Sequence, residues 1–170
     1  MPFSVLKQLY FALVHSKILY GVEIYGAADR CDLDNLIKLN NKILWICQYK
    51  KMECPLITLY CNFHTLPIPL LYKFQILCFM YNYKYKKDVL PIALQNYFTQ
   101  NSSLHSHDTR SKDNFHLFAI NKTPGSNNIA YLGGKLWNDL PDNLKGITSF
   151  ITFKKTLRLR YAQFRKCYQF

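Results

Sequence analysis

Residues 67 to 87 read PIPLLYKFQILCFMYNYKYKK. Pro67 and Pro69 pre-set the backbone for a helix start, and nothing breaks the helix before Lys86. Leu71, Phe74, Ile76, Leu77, Phe79, Met80 and Tyr83 then fall almost all round the circumference. A helix apolar on every side belongs at the centre of a bundle. The stretch therefore predicts a mainly α fold, with a helix over Leu70 to about Lys86 at its middle.

The flanking sequence supplies that helix with neighbours. Ser4 to about Ile24 is apolar at helical spacing, with Ser4 as the expected N-cap and Gly21 and Gly26 at the end. Asp32 is expected to cap a second helix. Its Leu33, Leu36, Ile37, Ile43, Leu44 and Cys47 cover roughly a third of the circumference, a core-facing stripe. Pro55 opens a short helix with Leu56, Leu59, Tyr60 and Phe63, and Pro91 opens another ending near Phe98.

From Thr99 to Asn128 the composition turns to Ser, Asn, Asp, His and Thr, with Pro124-Gly125 as a turn signal. A helical turn from Ile129 to Trp137 follows, and Ser149 is expected to cap a last helix from Phe150 to about Tyr168. The expected organisation is a bundle over 1–98, a polar loop over 99–128 and an extension over 129–170 that ends in a basic amphipathic helix.

Charge narrows the function classes. Lys and Arg number 22 against 10 Asp and Glu, a formal excess of +12. Such a field favours polyanions. The excess is concentrated: after Asp142 there is no acidic residue, while Lys145, Lys154, Lys155, Arg158, Arg160, Arg165 and Lys166 are all cationic. Cysteines 31, 47, 54, 61, 78 and 167 form no C-x-x-C pair, and most sit in apolar runs. They read as buried core thiols in a reducing compartment, in the nucleus or cytoplasm. No signal peptide is recognisable, and no membrane span is expected, because an unbroken apolar run of about 18 residues is wanting.

Catalytic patterns are missing. Two-metal phosphoryl transfer needs converging carboxylates. Asp32 and Asp34, two apart on a helix, point in different directions. Cys54 and Cys61, or His105 and His107, lack the paired spacing of a zinc site. Gly133-Gly134 is a lone pair, better suited to close packing than to a phosphate loop. No cofactor, no metal and no self-contained active site are expected.

The basic residues carry the functional expectation. Lys and Arg interleaved with aromatics suit nucleic acid, since cations meet phosphates and rings can stack on bases. Lys84, Lys86 and Lys87 form one such run. Lys154, Lys155, Arg158, Arg165 and Lys166 form another, beside an apolar seam of Phe150, Phe153, Leu157, Tyr161, Phe164 and Tyr168. A competing expectation is a protein-interaction module that docks this seam into a partner's groove.

Five ordered segments point to a family. Leu9 to Gly26, LYFALVHSKILYGVEIYG, resembles L-Y-x-S-L-x-x-S-x-L-x-Y-G-x-x-x-W-G, and the helix Leu33 to Cys47 is similar to the run that follows it there. His107 to Arg110, HDTR, resembles H-x-T-R. Gly134 to Lys145, GKLWNDLPDNLK, and Ser149 to Leu157, SFITFKKTL, resemble G-x-x-x-W-N-x-L-P-x-x-I-K and S-F-x-x-F-K-x-x-L. Together they resemble the C-terminal part of LINE-type (non-LTR, jockey-like) retrotransposon reverse transcriptases. Tyr25 stands where that family has Trp, and Asn40-Asn41 where it has basic or Gln residues, which removes charge from that helix. The resemblance implies a helical thumb that holds a template–primer RNA–DNA duplex, then a C-terminal extension, both lying against a fingers–palm domain. It does not carry RNA-directed DNA synthesis to this chain, which has no paired aspartates. A relic of a transposable element without a function of its own is the remaining alternative.

Overall fold

The computed structural model describes residues 1–51, 53–104, 111–119 and 128–164, with backbone only at 30, 163 and 164. Among these residues helices are the only regular elements. They are α1 (Phe3–Leu9), a π-helical turn (Tyr10–His15), α2 (Ser16–Leu19), α3 (Val22–Tyr25), α4 (Arg30–Cys47), α5 (Leu56–Phe63) and α6 (Ile68–Tyr85), then a 3-10 turn (Lys87–Val89), α7 (Ile92–Gln95), α8 (Asn101–Leu104), α9 (Ile129–Asn138), α10 (Asp142–Lys145) and α11 (Phe150–Phe164). The chain is thus mainly α. Contacts divide it into two compact units, residues 1–72 with 159–170, and residues 73–158. That partition follows contacts, whereas the one at 98 and 128 follows composition.

Several helix ends differ from expectation. Pro2, not Ser4, takes the N-cap position of α1, and Asp29, not Asp32, that of α4. Asp32 lies in the first turn of α4, where its charge still complements the helix dipole. Helix α6 starts two residues early, at Ile68, because a proline is tolerated in the first turn, where its missing N–H has no partner to lose. Helix α7 stops at Gln95, short of Phe98. Beyond that end the Tyr83 hydroxyl shares its single proton between the Gln95 and Phe98 carbonyls, 2.9 Å from each, and accepts from the Phe98 N–H at 3.1 Å.

In the first unit, Gly21 breaks the opening helical run at φ +71°, a left-handed conformation that a side chain disfavours. The core gathers Tyr10, Leu44, Leu59, Tyr60 and Phe63. A polar chain runs through it. Tyr10 donates to Asn40 Oδ1 (3.0 Å), Asn40 Nδ2 donates to the Tyr60 oxygen (3.1 Å), and Tyr60 donates to Asn41 Oδ1 (2.5 Å). Asn40 and Asn41 are 2% and 8% exposed. Their neutrality, which the resemblance made a loss of charge from their helix, has a structural reason here. It is what a buried site demands, because an unpaired ammonium there would lose its hydration.

Burial holds the Tyr10 hydroxyl's pKa up to about 12, against the opposing hydrogen bond to Asn40, and raises that of Tyr60 from 10 as well. A raised folded pKa gives stability that is complete below pH 10 and is lost as pH climbs towards the folded value. Each of these tyrosines should cost about 1.4 kcal/mol per pH unit above pH 10. Urea midpoints at pH 9, 10, 11 and 11.5 should show that fall, and Tyr10→Phe should make it shallower.

In the second unit, Met80, Tyr83, Phe98, Phe115, Trp137, Leu144, Phe153 and Leu157 are buried. The polar stretch expected as a loop contributes an anchor here. Gln100 pairs with Phe115, and the Thr99 carbonyl accepts from the His116 N–H at 2.8 Å. The Asn138 carboxamide clamps both backbone groups of Phe115, accepting from its N–H (2.9 Å) and donating to its carbonyl (2.8 Å).

Gly133 and Gly134 make the close approach expected of them. A Cβ at Gly133 would stand 2.9 Å from Met80 Sδ and 3.2 Å from the Phe98 ring. Both neighbours are buried, so Gly133→Val should cost about 1–3 kcal/mol through overpacking. Urea unfolding checks this, and an unchanged midpoint would mean that the contact is slack.

Candidate nucleic-acid interface

Tyr81, Tyr85, Trp137, Phe150 and Phe153 form one aromatic group of the second unit. Tyr81 lies 4.6 Å from Phe153 and 5.3 Å from Phe150, centroid to centroid, and Tyr85 lies 6.3 Å from Trp137. The hydroxyls of Tyr81 and Tyr85 donate to the carbonyls of Thr148 and Lys145. These bonds tie the C-terminal end of α6 to the chain leading into α11.

This packing brings two sequence-distant basic runs together. The Lys86 ammonium lies 5.6 Å from the Phe150 ring centre and that of Lys154 lies 5.2 Å from it. Arg158, four residues on from Lys154 and so on the same helix face, lies 5.5 Å from the Phe74 ring. Aromatic faces hold cations by their quadrupole, worth about 0.5–1 kcal/mol at exposed positions, without neutralising them.

The expected residues behave in three ways. Lys86, Lys154 and Arg158 are exposed and seated on rings. Lys84 and Lys87 are exposed too, but Lys87 turns to the Tyr83 ring, 5.6 Å away, and not to Phe150. Lys155 is exposed on the next face of α11. Arg165 and Lys166 lie outside the described residues, as do His105 and the HDTR segment.

Among the described residues, none of these six cations pairs with a carboxylate. The ion pair found is Lys145 with Asp142, at 3.8 Å. Within the described residues these cations are left unneutralised.

Of the seam beside these cations, Phe153 and Leu157 are fully buried within the chain, Phe150 and Tyr161 are half-buried, and the side chains of Phe164 and Tyr168 lie outside the described residues; flanking Ile151 and Leu159 are exposed. The cysteines also differ from a uniformly buried set: Cys78 is buried, Cys47 and Cys54 are half-buried, and Cys31 and Cys61 are exposed. Among the described residues no three His, Cys, Asp or Glu come together as a metal site would need, and no helix is long and apolar enough to cross a membrane.

Sequence reading named the cations but missed Phe150 as their common seat. Its place at the head of an apolar seam pointed to core, not to a cation platform.

No protein-family model matches the chain, and no curated protein and no solved structure shows significant similarity to it.

Proposed function

We propose that this chain is a non-catalytic C-terminal part of a retrotransposon RNA-directed DNA polymerase, and that its basic face holds the template–primer RNA–DNA duplex. The observation that carries this reading is the meeting of Lys86 and Lys154 on one ring, with Arg158 on the same helix face as Lys154. Cations from separate segments, kept apart from carboxylates, suit a run of phosphates. Contacts of this kind position a duplex without reading its sequence. The resemblance of the ordered motifs supports the choice of an RNA–DNA duplex, and assigns synthesis itself to a fingers–palm domain.

Fluorescence anisotropy with a labelled heteroduplex at several salt concentrations tests the proposal. If Lys86, Lys154, Lys155 and Arg158 meet duplex phosphates, log K should fall with log salt at a slope of roughly −3.5, and at roughly −5 if Lys84 and Lys87 also meet phosphates of the bound nucleic acid. A slope near zero would rule out the electrostatic grip. Salt-insensitive self-association on size exclusion would instead favour the protein-interaction reading, through Ile151 and Leu159.

A further inference from the structure

Lys84 and Lys87 part from Lys86 and line a separate concavity of about 540 Å3 within the second unit. That volume lies in the range of about 300–1,000 Å3 typical of small-molecule sites. Its floor is apolar, built from Tyr83, Phe98 and Phe115, none more than 9% exposed. Asn96, Gln100 and Ser103 add carboxamides and a hydroxyl. Among the described residues, no carboxylate belongs to the lining.

The walls are pre-formed. The Tyr83 hydroxyl holds Phe98 by its backbone, Gln100 pairs with Phe115, and Asn138 clamps Phe115 from behind. Lys87 Nζ, though exposed, rests 3.4 Å from Asn96 Oδ1, which places its ammonium at the lining.

This combination selects a ligand chemistry. Two ammoniums without a carboxylate call for an anion. An inorganic anion would not need the apolar floor, and a fatty acid would not need the carboxamides. A nucleotide uses all three: a phosphate, a flat body with apolar faces, and an edge of donors and acceptors. Asn and Gln carboxamides pair in bidentate fashion with the adenine edge. A base inside a duplex cannot enter such a hollow, whereas an unpaired one can be splayed out into it.

We propose that the concavity receives one unpaired nucleotide, its phosphate against Lys84 and Lys87 and its base edge towards Asn96 and Gln100. The assignment rests on the nucleic-acid reading above and adds a single-strand subsite to it, beside the duplex face at Lys86, Lys154 and Arg158.

Titration of the full chain with adenosine 5′-monophosphate, followed by NMR of the side-chain amides, tests the subsite. Inorganic phosphate is titrated in parallel. The nucleotide should bind at least tenfold more tightly than phosphate and shift the amide signals of Asn96 and Gln100. The double variant Asn96→Leu/Gln100→Leu should bring nucleotide affinity down to that of phosphate. Equal affinities in the parent chain, or no nucleotide binding, would overturn the subsite. Nucleotide binding without heteroduplex binding would count against the duplex grip alone. Heteroduplex binding without nucleotide binding would count against the subsite alone.

Discussion

Replacing Lys86, Lys154 and Arg158 together by alanine should lower heteroduplex affinity by about two to three orders of magnitude at 0.1 M salt. Each phosphate neutralised contributes roughly 0.9 to the salt slope, hence about 0.9 decades of affinity between 1 M and 0.1 M. Three lost contacts should also flatten the slope by about 3. The loss should be alike for every sequence, because phosphate contacts carry no base information.

Folding should survive, because all three side chains are exposed and each forfeits only a cation–π contact of about 0.5–1 kcal/mol. Replacing the exposed lysines Lys38, Lys42 and Lys50 by alanine changes net charge by the same amount elsewhere on the chain. That control should retain most of the affinity. Equal losses in the two triple variants would mean diffuse attraction to a basic body, and the assigned face would fall.

Asn40→Lys should cost about 4–5 kcal/mol at pH 7. The site is 2% exposed, and burial lowers a lysine pKa by up to about 3–5 units. At 1.36 kcal/mol per unit the cost is capped by the roughly 3.4 units between pH 7 and the free value of about 10.4, since the buried amine is then neutral. A domain's whole stability is only about 5–15 kcal/mol, so the first unit should be strongly destabilised. The sign of the pH dependence follows from linkage. The unfolded lysine binds a proton that the buried one releases, so stability should recover as pH rises from 7 towards 10. Tyr10 and Tyr60 do not yet oppose this, since their cost begins above pH 10.

Asn40→Leu separates charge from hydrogen bonding. It strands the Tyr10 hydroxyl and a Tyr60 acceptor, for about 1–3 kcal/mol, with no pH dependence over the same window. Circular dichroism melts of both variants at pH 7 and 9.5 check the pair. If Asn40→Lys melts with the parent chain, Asn40 is not the buried hinge of the Tyr10–Tyr60 chain.

Local chemistry made much of this molecule readable. Proline placed the starts of α5 and α7 to within one residue, Pro55 and Pro91 standing as their N-caps, because its fixed φ acts wherever it stands. The apolar circumference of residues 70–83 declared a buried helix for the same local reason. The cations, too, were countable, and their concentration after Asp142 needed no structure.

Long-range contacts settled the rest. No sequence spacing says that Phe150 will meet both Lys86 and Lys154, since 64 positions separate residues 86 and 150 and only packing of α6 beside α11 closes that gap. Helix α7 looked able to continue to Phe98, but it stops at Gln95, and the Gln95 and Phe98 carbonyls face the Tyr83 hydroxyl from a different helix. Asn40 and Asn41 read as a loss of charge from their helix, because a polar residue alone does not reveal its buried partners. Periodicity and composition act through neighbours along the chain, so they determined a basic, mainly helical protein. Burial, ring seats and the concavity depend on neighbours in space, and those exist only once the chain has folded.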